Sequence, residues 1–221
     1  MFQDFARVGR WLVQDGLVPS LGGTISCRDG DKLLITKNDA PLADLQGEEL
    51  LTVPLAAAQD KTLEPRDAAV HRAIYRETGA AAVVQVFSPQ TLAVSLTDNK
   101  IIPQDSEGQA VIKSAAIVRI HQPLNPEETV RLLPAFLQGS SVAAVVRGYS
   151  VFAIGSNLTE AYRHAALLER SCQILVSMRA SGGNRPPAPK DKPLQSHQPR
   201  HDRRSAIPPG IGVMDRSRYK R

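Results

Sequence analysis

The sequence has few cysteines and no long hydrophobic run. Cys27 and Cys172 are its only cysteines, which excludes a disulfide framework or a cysteine-rich zinc site and favours a reducing compartment. No apolar run approaches the roughly 20 residues that span a bilayer. The first fifteen residues include four charged side chains, so they lack the uninterrupted apolar stretch of a signal peptide. From these absences we expect a cytoplasmic protein with no membrane contact.

Charge divides the 221-residue chain into two parts. Hydrophobic residues make up 42% of it, which is enough for a sizeable core and excludes a wholly disordered chain. The net charge is +5, but residues 181–221 carry ten Lys or Arg and three Asp, so the preceding residues are mildly acidic. The same segment contains seven prolines and four glycines. We therefore predict one folded domain over residues 1–180 and a disordered, basic, proline-rich tail over residues 181–221.

Hydrophobic periodicity predicts helices and strands that alternate irregularly. Helices are predicted over residues 2–15, 67–77, 89–96 and 157–178, with another beginning at Asn125-Pro126 and a short helical turn over 41–45. Strands are predicted over residues 23–28, 33–37, 50–55, 80–87, 116–120, 142–147 and 151–154. Asp29-Gly30, between the first two strands, is a hairpin turn signal. This order favours a mixed or antiparallel sheet covered by helices over a regular βαβ winding.

Four segments together resemble the class II aldolase/adducin family, which includes zinc-dependent sugar-phosphate aldolases and a pentulose-phosphate epimerase. They are GGTISCR at 22–28 with LLIT at 33–36, DAAVHRAIY at 67–75, VVQVFSP at 83–89 and VVRGYSVFAIG at 145–155. Their order and spacing match over about residues 5–178. The resemblance implies an α/β fold, with a three-layer α-β-α domain around a central mixed, largely antiparallel sheet.

The resemblance also implies a metal site, and this chain departs from it. In the family three histidines hold a divalent metal, usually zinc, which stabilises the charge that develops during retro-aldol cleavage. The positions matched to those histidines are Gln85, Phe87 and Tyr149, and Asp67 matches a nearby glutamate. Glutamine is a weak ligand, phenylalanine is none and tyrosine must first lose a proton. We therefore expect no metal cofactor, and zinc belongs only to the alternative hypothesis below.

The phosphate-binding positions implied by the resemblance are altered as well. Thr24 stands where the family has asparagine, Asn38 and Asp39 replace a Ser-Gly pair, and Pro65 and Arg66 replace a Ser-Ser pair. Asp39 would repel a phosphate dianion and Pro65 lacks an N–H donor, so only Arg66 remains attractive. Relative to the family, the positions matched to the metal ligands and to the phosphate-binding residues are thus both altered. The four resembling segments themselves are still recognisable.

These changes favour a non-catalytic binding, structural or regulatory module, which the resemblance implies is a homo-oligomer, commonly a tetramer in this family. The alternative is a metal-dependent aldolase or epimerase acting on a small sugar phosphate, with Asp67 as acid or base and His71 assisting. Phe87 and Tyr149 either fill the former metal position, which we favour, or line a pocket remade for an apolar or aromatic ligand.

The other histidines and Cys27 have simpler interpretations. His71 is expected to pack in the core, His121 to be an exposed turn residue, and His164 to face solvent or lie near an interface. Cys27, in a predicted strand, is expected to be a small buried hydrophobe.

The basic tail supports a third hypothesis, in which it binds nucleic acid or an acidic protein while the body oligomerises. Clusters of arginine at 200–204 and 216–221 suit phosphate backbones or acidic surfaces, although a purely solubilising tail is equally consistent. The apolar segment at 207–214 interrupts the polar sequence and is typical of a short docking segment.

Overall fold

The computed structural model describes residues 1–56 and 64–182. The α-helices are α1 (Phe2–Gln14), α2 (Ala68–Glu77), α3 (Pro89–Thr97), α4 (Ser106–Val111), α5 (Pro126–Leu132) and α6 (Leu158–Ala180). The strands are β1 (Thr24–Asp29), β2 (Lys32–Thr36), β3 (Leu50–Pro54), β4 (Ala82–Val86), β5 (Lys100–Ile101), β6 (Ala115–Val118), β7 (Ala143–Val146) and β8 (Ser150–Gly155). Short 3-10 helices lie at Leu42–Asp44, Gly47–Glu49 and Leu133–Leu137.

The eight strands form one sheet in the order β3-β2-β1-β4-β8-β7-β6-β5. Every neighbouring pair is antiparallel except β6 and β7, which run parallel because the connection through α5 crosses back over the sheet. The mixed, largely antiparallel sheet predicted from the sequence is therefore confirmed. Pro54 ends β3 at the edge of the sheet, where its missing N–H costs no ladder hydrogen bond.

Helices cover both faces of the sheet, which gives the three layers that the resemblance implies. On one face α1 and α6 pack through side chains such as Phe5, Leu12 and Leu168. On the other face α2 and the last 3-10 helix pack through Ile74 and Leu137, among others. Each face carries its own cluster of buried aliphatic residues, so the sheet is hydrophobic on both sides.

Strand β4 shows how the apolar sequence fits this arrangement. Val84 and Val86 belong to the cluster beneath α6, whereas Val83 faces the cluster beneath α2. All five residues of β4 are buried, as a continuous valine-rich run predicts for a strand covered on both faces. The alternation puts Gln85 on the same face as Val83, toward α2.

Strand β5, helix α4 and the 3-10 helix Gly47–Glu49 were not predicted, and the expected exposure of one histidine is wrong. Strand β5 has only two residues and α4 only six, which is too short for a periodic signal, although Asp105 caps α4 by accepting the Gly108 N–H at 2.7 Å. The expectation that His164 faces solvent is wrong, because it lies on the side of α6 against β8 and is 7% exposed. The alternative, that it lies near an interface, stays a prediction. Within the described residues, no helix has both the length and the hydropathy to cross a membrane. The predicted tail lies outside the described residues except for its first two positions.

Candidate functional site

Two aromatic side chains meet at the carboxyl end of β4. Phe87 follows that strand, and Tyr149 lies in the turn between β7 and β8. Their ring centroids are 6.1 Å apart and their planes are inclined by 67°, an edge-to-face contact between two half-buried rings. The turn requires Gly148, which has a φ of +63° and whose missing Cβ would lie 2.9 Å from a Leu96 methyl group. The turn that carries Tyr149 therefore depends on a glycine at position 148.

Thr24, Gln85 and Asp67 lie together between the sheet and the start of α2. Thr24 and Gln85 are cross-strand partners of β1 and β4, so their side chains share a face. Asp67 is the residue before α2, and the Thr24 hydroxyl lies 3.5 Å from its Oδ2 atom. Asp67 is 9% exposed, and its carboxylate caps no helix N–H. The structure thus brings three of the sequence-derived positions into one small group.

Burial shifts the ionisation of this group toward neutral forms. Burial raises the pKa of Asp67, although the Arg66 guanidinium and the Gln85 and Thr24 side chains partly oppose the shift. Burial also raises the pKa of Tyr149, and the neighbouring Asp67 carboxylate adds to that rise. Burial therefore disfavours the anionic forms of both side chains.

A buried polar chain lies behind these residues. His71 is fully buried on α2, and its Nδ1 atom lies 2.7 Å from the Ser26 hydroxyl. Tyr75, one turn later, contacts the same hydroxyl at 2.8 Å and donates to the Ser26 carbonyl at 2.9 Å. Burial lowers the pKa of His71 to about 3, and the nearby Gln85 side chain opposes the shift only partly. His71 is therefore a neutral imidazole at physiological pH.

The polar atoms between Asp67 and His71 are sealed from solvent. Gln85 has no exposed surface, and its amide oxygen and nitrogen make no hydrogen bond of ordinary geometry to the described residues. The same holds for His71 Nε2. Although the Gln85 amide is close enough to both Asp67 and His71 to favour their charged forms, burial dominates at each. The Gln85 amide and His71 Nε2 are thus buried polar atoms without access to solvent.

The former phosphate-binding positions also converge. Asn38 accepts the Arg66 backbone N–H at 3.0 Å, across 28 residues of sequence. Asp39 adopts a left-handed backbone with a φ of +54°, and Pro65 is buried. Arg66 is exposed, and its positive charge reaches both Asp67 and Tyr149. One cation beside two carboxyl groups is a poor cradle for a phosphate dianion.

These residues do not fit a zinc ion. Phe87 has no donor atom, Gln85 offers only a buried amide, and the raised pKa of Tyr149 opposes the phenolate that a metal would need. Over residues 1–56 and 64–182, no group of three His, Cys, Asp or Glu side chains is arranged to hold a metal. The absence of a metal cofactor stays a prediction, which the zinc measurements described below test.

Sequence reasoning missed several polar residues that build the site. Ser26 and Tyr75 complete the buried chain, and the two-residue spacing from Thr24 along β1 and the four-residue spacing from His71 along α2 are the signals that could have found them. Arg72, 4% exposed, pairs with Glu64 at 2.5 Å and donates to the Pro54 carbonyl at 3.1 Å. Through these two contacts Arg72 links Glu64, in the segment before Asp67, to Pro54 at the end of β3.

His121 and Cys27 lie away from this group. His121 is 90% exposed and its Nδ1 atom lies 3.0 Å from Glu128. Cys27 is half-buried, and burial raises the pKa of its thiol to about 12, which removes it as a nucleophile at neutral pH.

Comparisons with known proteins agree with the fold. The family model described as the class II aldolase and adducin N-terminal domain matches residues 3–176. The crystal structure of L-fuculose-1-phosphate aldolase from Thermus thermophilus is 31% identical, with a TM-score of 0.76, covering 83% of this chain and 96% of that one.

Two curated relatives show similar levels of identity. L-fuculose phosphate aldolase of Methanococcus maripaludis (strain C7) is 25% identical over 172 residues, which are 77% of this chain and 93% of that protein. A probable bifunctional methylthioribose-1-phosphate isomerase/methylthioribulose-1-phosphate dehydratase of Nocardia farcinica is 26% identical over 190 residues. That match takes in 77% of this chain but 34% of the relative, so the chain spans about a third of its length.

Proposed function

We propose, on the premise that this chain belongs to the class II aldolase and adducin family, that it acts as a non-catalytic binding, structural or regulatory module. The observation that carries the proposal is the pair of aromatic rings, Phe87 and Tyr149, with the sealed Gln85 amide beside it. These are the positions at which the family resemblance places three histidine ligands. In this proposal the chain keeps the fold of the family, while packed aromatic side chains take the place of the metal ligands that the family's chemistry requires.

The energetic reason for this proposal is the cost of losing an electrophile. Cleaving a carbon–carbon bond next to a carbonyl creates an enediolate, whose negative charge must be stabilised in the transition state. Removing a single hydrogen-bond donor from such a site typically slows a reaction by about 10²–10³-fold. The polar side chains of this group include Gln85, which is buried, and Asp67, whose carboxylate form is disfavoured by burial. Neither replaces a divalent cation.

The module retains a surface at which a partner or ligand can bind. Phe87 and Tyr149 are half-buried, so each exposes part of a ring, and the exposed Arg66 lies nearby. An apolar or aromatic group suits the exposed parts of these rings. We further propose that the chain assembles as a homo-oligomer, with a tetramer as the expected form. The tail at 181–221 is proposed to contact an acidic protein or nucleic acid, and zinc is not expected as a cofactor.

A lyase is the second candidate, because the similar proteins named above are aldolases and a dehydratase. In that case Asp67 would act as the acid, since burial raises the pKa of its carboxyl group and so favours the protonated form. Its neighbours would be Arg66 for a substrate anion and the Tyr149 phenol as a hydrogen-bond donor. His71 would act only by positioning, because it is fully buried.

Turnover assays separate the two candidates. The untagged protein is assayed for cleavage of L-fuculose 1-phosphate and for dehydration of methylthioribulose 1-phosphate, each with and without added zinc. We expect no turnover above the protein-free background. Turnover that is lost in Asp67→Asn would overturn the non-catalytic proposal and establish the lyase.

A gain-of-metal variant is the matched control. Gln85→His, Phe87→His and Tyr149→His together restore the ligand set that the resemblance implies. This variant is expected to bind zinc when the original chain does not, which shows that the fold can still carry the site. If neither protein binds zinc, the positions matched here do not form the metal site, and the proposal loses its supporting observation.

A further inference from the structure

A cavity lies at the opposite end of the strands from Phe87 and Tyr149. It has a volume of about 610 Å³ and is bounded by the end of α2, the loop after Leu133–Leu137, the last residues of β8 and one side of α6. Ala82 pairs with Gly155 at this end of β4, whereas Gln85 lies near the other end. The cavity is therefore separate from the site described above.

His164 lines this cavity with a fixed orientation. Only 7% of the residue is exposed, and its Nδ1 atom lies 2.7 Å from the Ile154 carbonyl oxygen. A carbonyl oxygen can only accept, so Nδ1 carries the proton and Nε2 of the neutral ring carries a lone pair. No described residue makes a hydrogen bond to Nε2. A deeply buried ring thus brings an unused acceptor to the cavity.

Charged side chains of both signs share the same cavity. Glu160, one turn before His164, accepts hydrogen bonds from the Ser156 N–H at 2.6 Å and hydroxyl at 2.5 Å. These bonds lower the pKa of Glu160 and keep it a carboxylate. Arg76 and Glu77, at the end of α2, form no ion pair within 4 Å among the described residues. The end of α2 adds a partial negative charge.

We propose that this cavity binds a small zwitterion of the amino-acid class. The ammonium group would lie near Glu160, the end of α2 and His164 Nε2, which accepts an N–H bond. The carboxylate would lie near Arg76, the one Lys or Arg among the described residues that line the cavity. Two carboxylates disfavour a simple anion, Arg76 disfavours a simple cation, and the described residues provide no three-ligand cluster for a metal.

This inference is independent of the proposed function, since it uses none of the residues of the first site. It is tested by isothermal titration of the full chain with each of the twenty protein amino acids. At least one is expected to bind with a millimolar or tighter Kd. Its N-acetyl derivative and its amide, which each lack one charge, are expected to bind at least about 10-fold more weakly. If no amino acid binds, or if both derivatives bind equally well, the proposal is overturned.

Two variants tie the binding to this cavity. His164→Asn keeps a side-chain N–H where Nδ1 donates to the Ile154 carbonyl but removes the Nε2 acceptor. Arg76→Gln removes the cation from an exposed position and is not expected to affect folding. Each should raise the Kd at least about 10-fold, whereas Arg163→Gln, an exposed arginine paired with Glu107 outside the cavity, should not change it. Unchanged binding in both cavity variants would place the ligand elsewhere and refute the assignment.

Discussion

Lowering the pH should destabilise this protein well before its surface carboxylates titrate, because His71 cannot accept a proton while it is buried. Burial lowers its pKa from 6.5 to about 3 in the folded chain. The unfolded chain therefore binds one more proton than the folded chain throughout that interval. Stability is complete above pH 6.5 and falls by about 1.4 kcal/mol per pH unit below it. Between pH 7 and pH 5 the expected loss from His71 is about 2 kcal/mol.

Urea unfolding at pH 7, 6 and 5 measures this loss, and His71→Asn isolates it. Asparagine can still bond to the Ser26 hydroxyl, which lies 2.7 Å from His71 Nδ1, but it has no group that titrates in this interval. The variant should be less stable at pH 7 yet lose about 2 kcal/mol less than the original chain on acidification. An equal loss in both proteins, or an NMR titration of His71 with a midpoint near 6.5, would refute the reasoning.

Three further predictions concern individual groups. Asp67→Asn should be more stable than the original chain between pH 4 and pH 7, because the raised pKa of Asp67 makes its ionised form unfavourable in the folded chain. The gain in stability should vanish below pH 3.8, and urea unfolding across this pH range measures it. Glu169→Gln should lower the free energy of unfolding by about 2 kcal/mol, measured by thermal unfolding. The reason is that this buried side chain accepts the Gln90 N–H at 2.9 Å and the Thr91 N–H at 2.8 Å at the start of α3. The control Glu107→Gln, at an exposed position, should lower it by less than about 0.5 kcal/mol. Burial raises the pKa of Cys27 to about 12 and of Cys172 to about 11. A disulfide reagent at pH 8 should therefore label the native chain at least about 100-fold more slowly than the urea-unfolded chain. Equal labelling rates would show that neither thiol is shielded.

The framework of the fold could be predicted because periodicity and caps agree with the tertiary contacts. Asn125-Pro126 begins α5 with a side-chain cap to the Glu127 N–H, and the valine run of β4 is buried on both faces. The two-residue β5 could not be predicted, since two residues carry no period. His164 could not be placed because the period of a long helix does not reveal which side packs on the sheet when apolar residues extend around much of it.

The candidate site was predictable as a set of positions but not as a set of interactions. The resemblance identified Gln85, Phe87 and Tyr149, and the structure adds that the two rings touch and that the amide is sealed. The chain from His71 through Ser26 required the packing of α2 on β1, which no local pattern specifies. Changes in pKa likewise arise from burial, which is a property of the assembled layers.

The central claim is that the side chains at the former ligand positions no longer hold a metal. It is tested most directly by elemental analysis of untagged protein purified without chelators, followed by zinc titration. We expect much less than one zinc per chain and no saturable uptake at micromolar zinc. One tightly bound zinc per chain, lost on substitution of Gln85 or Asp67, would contradict it.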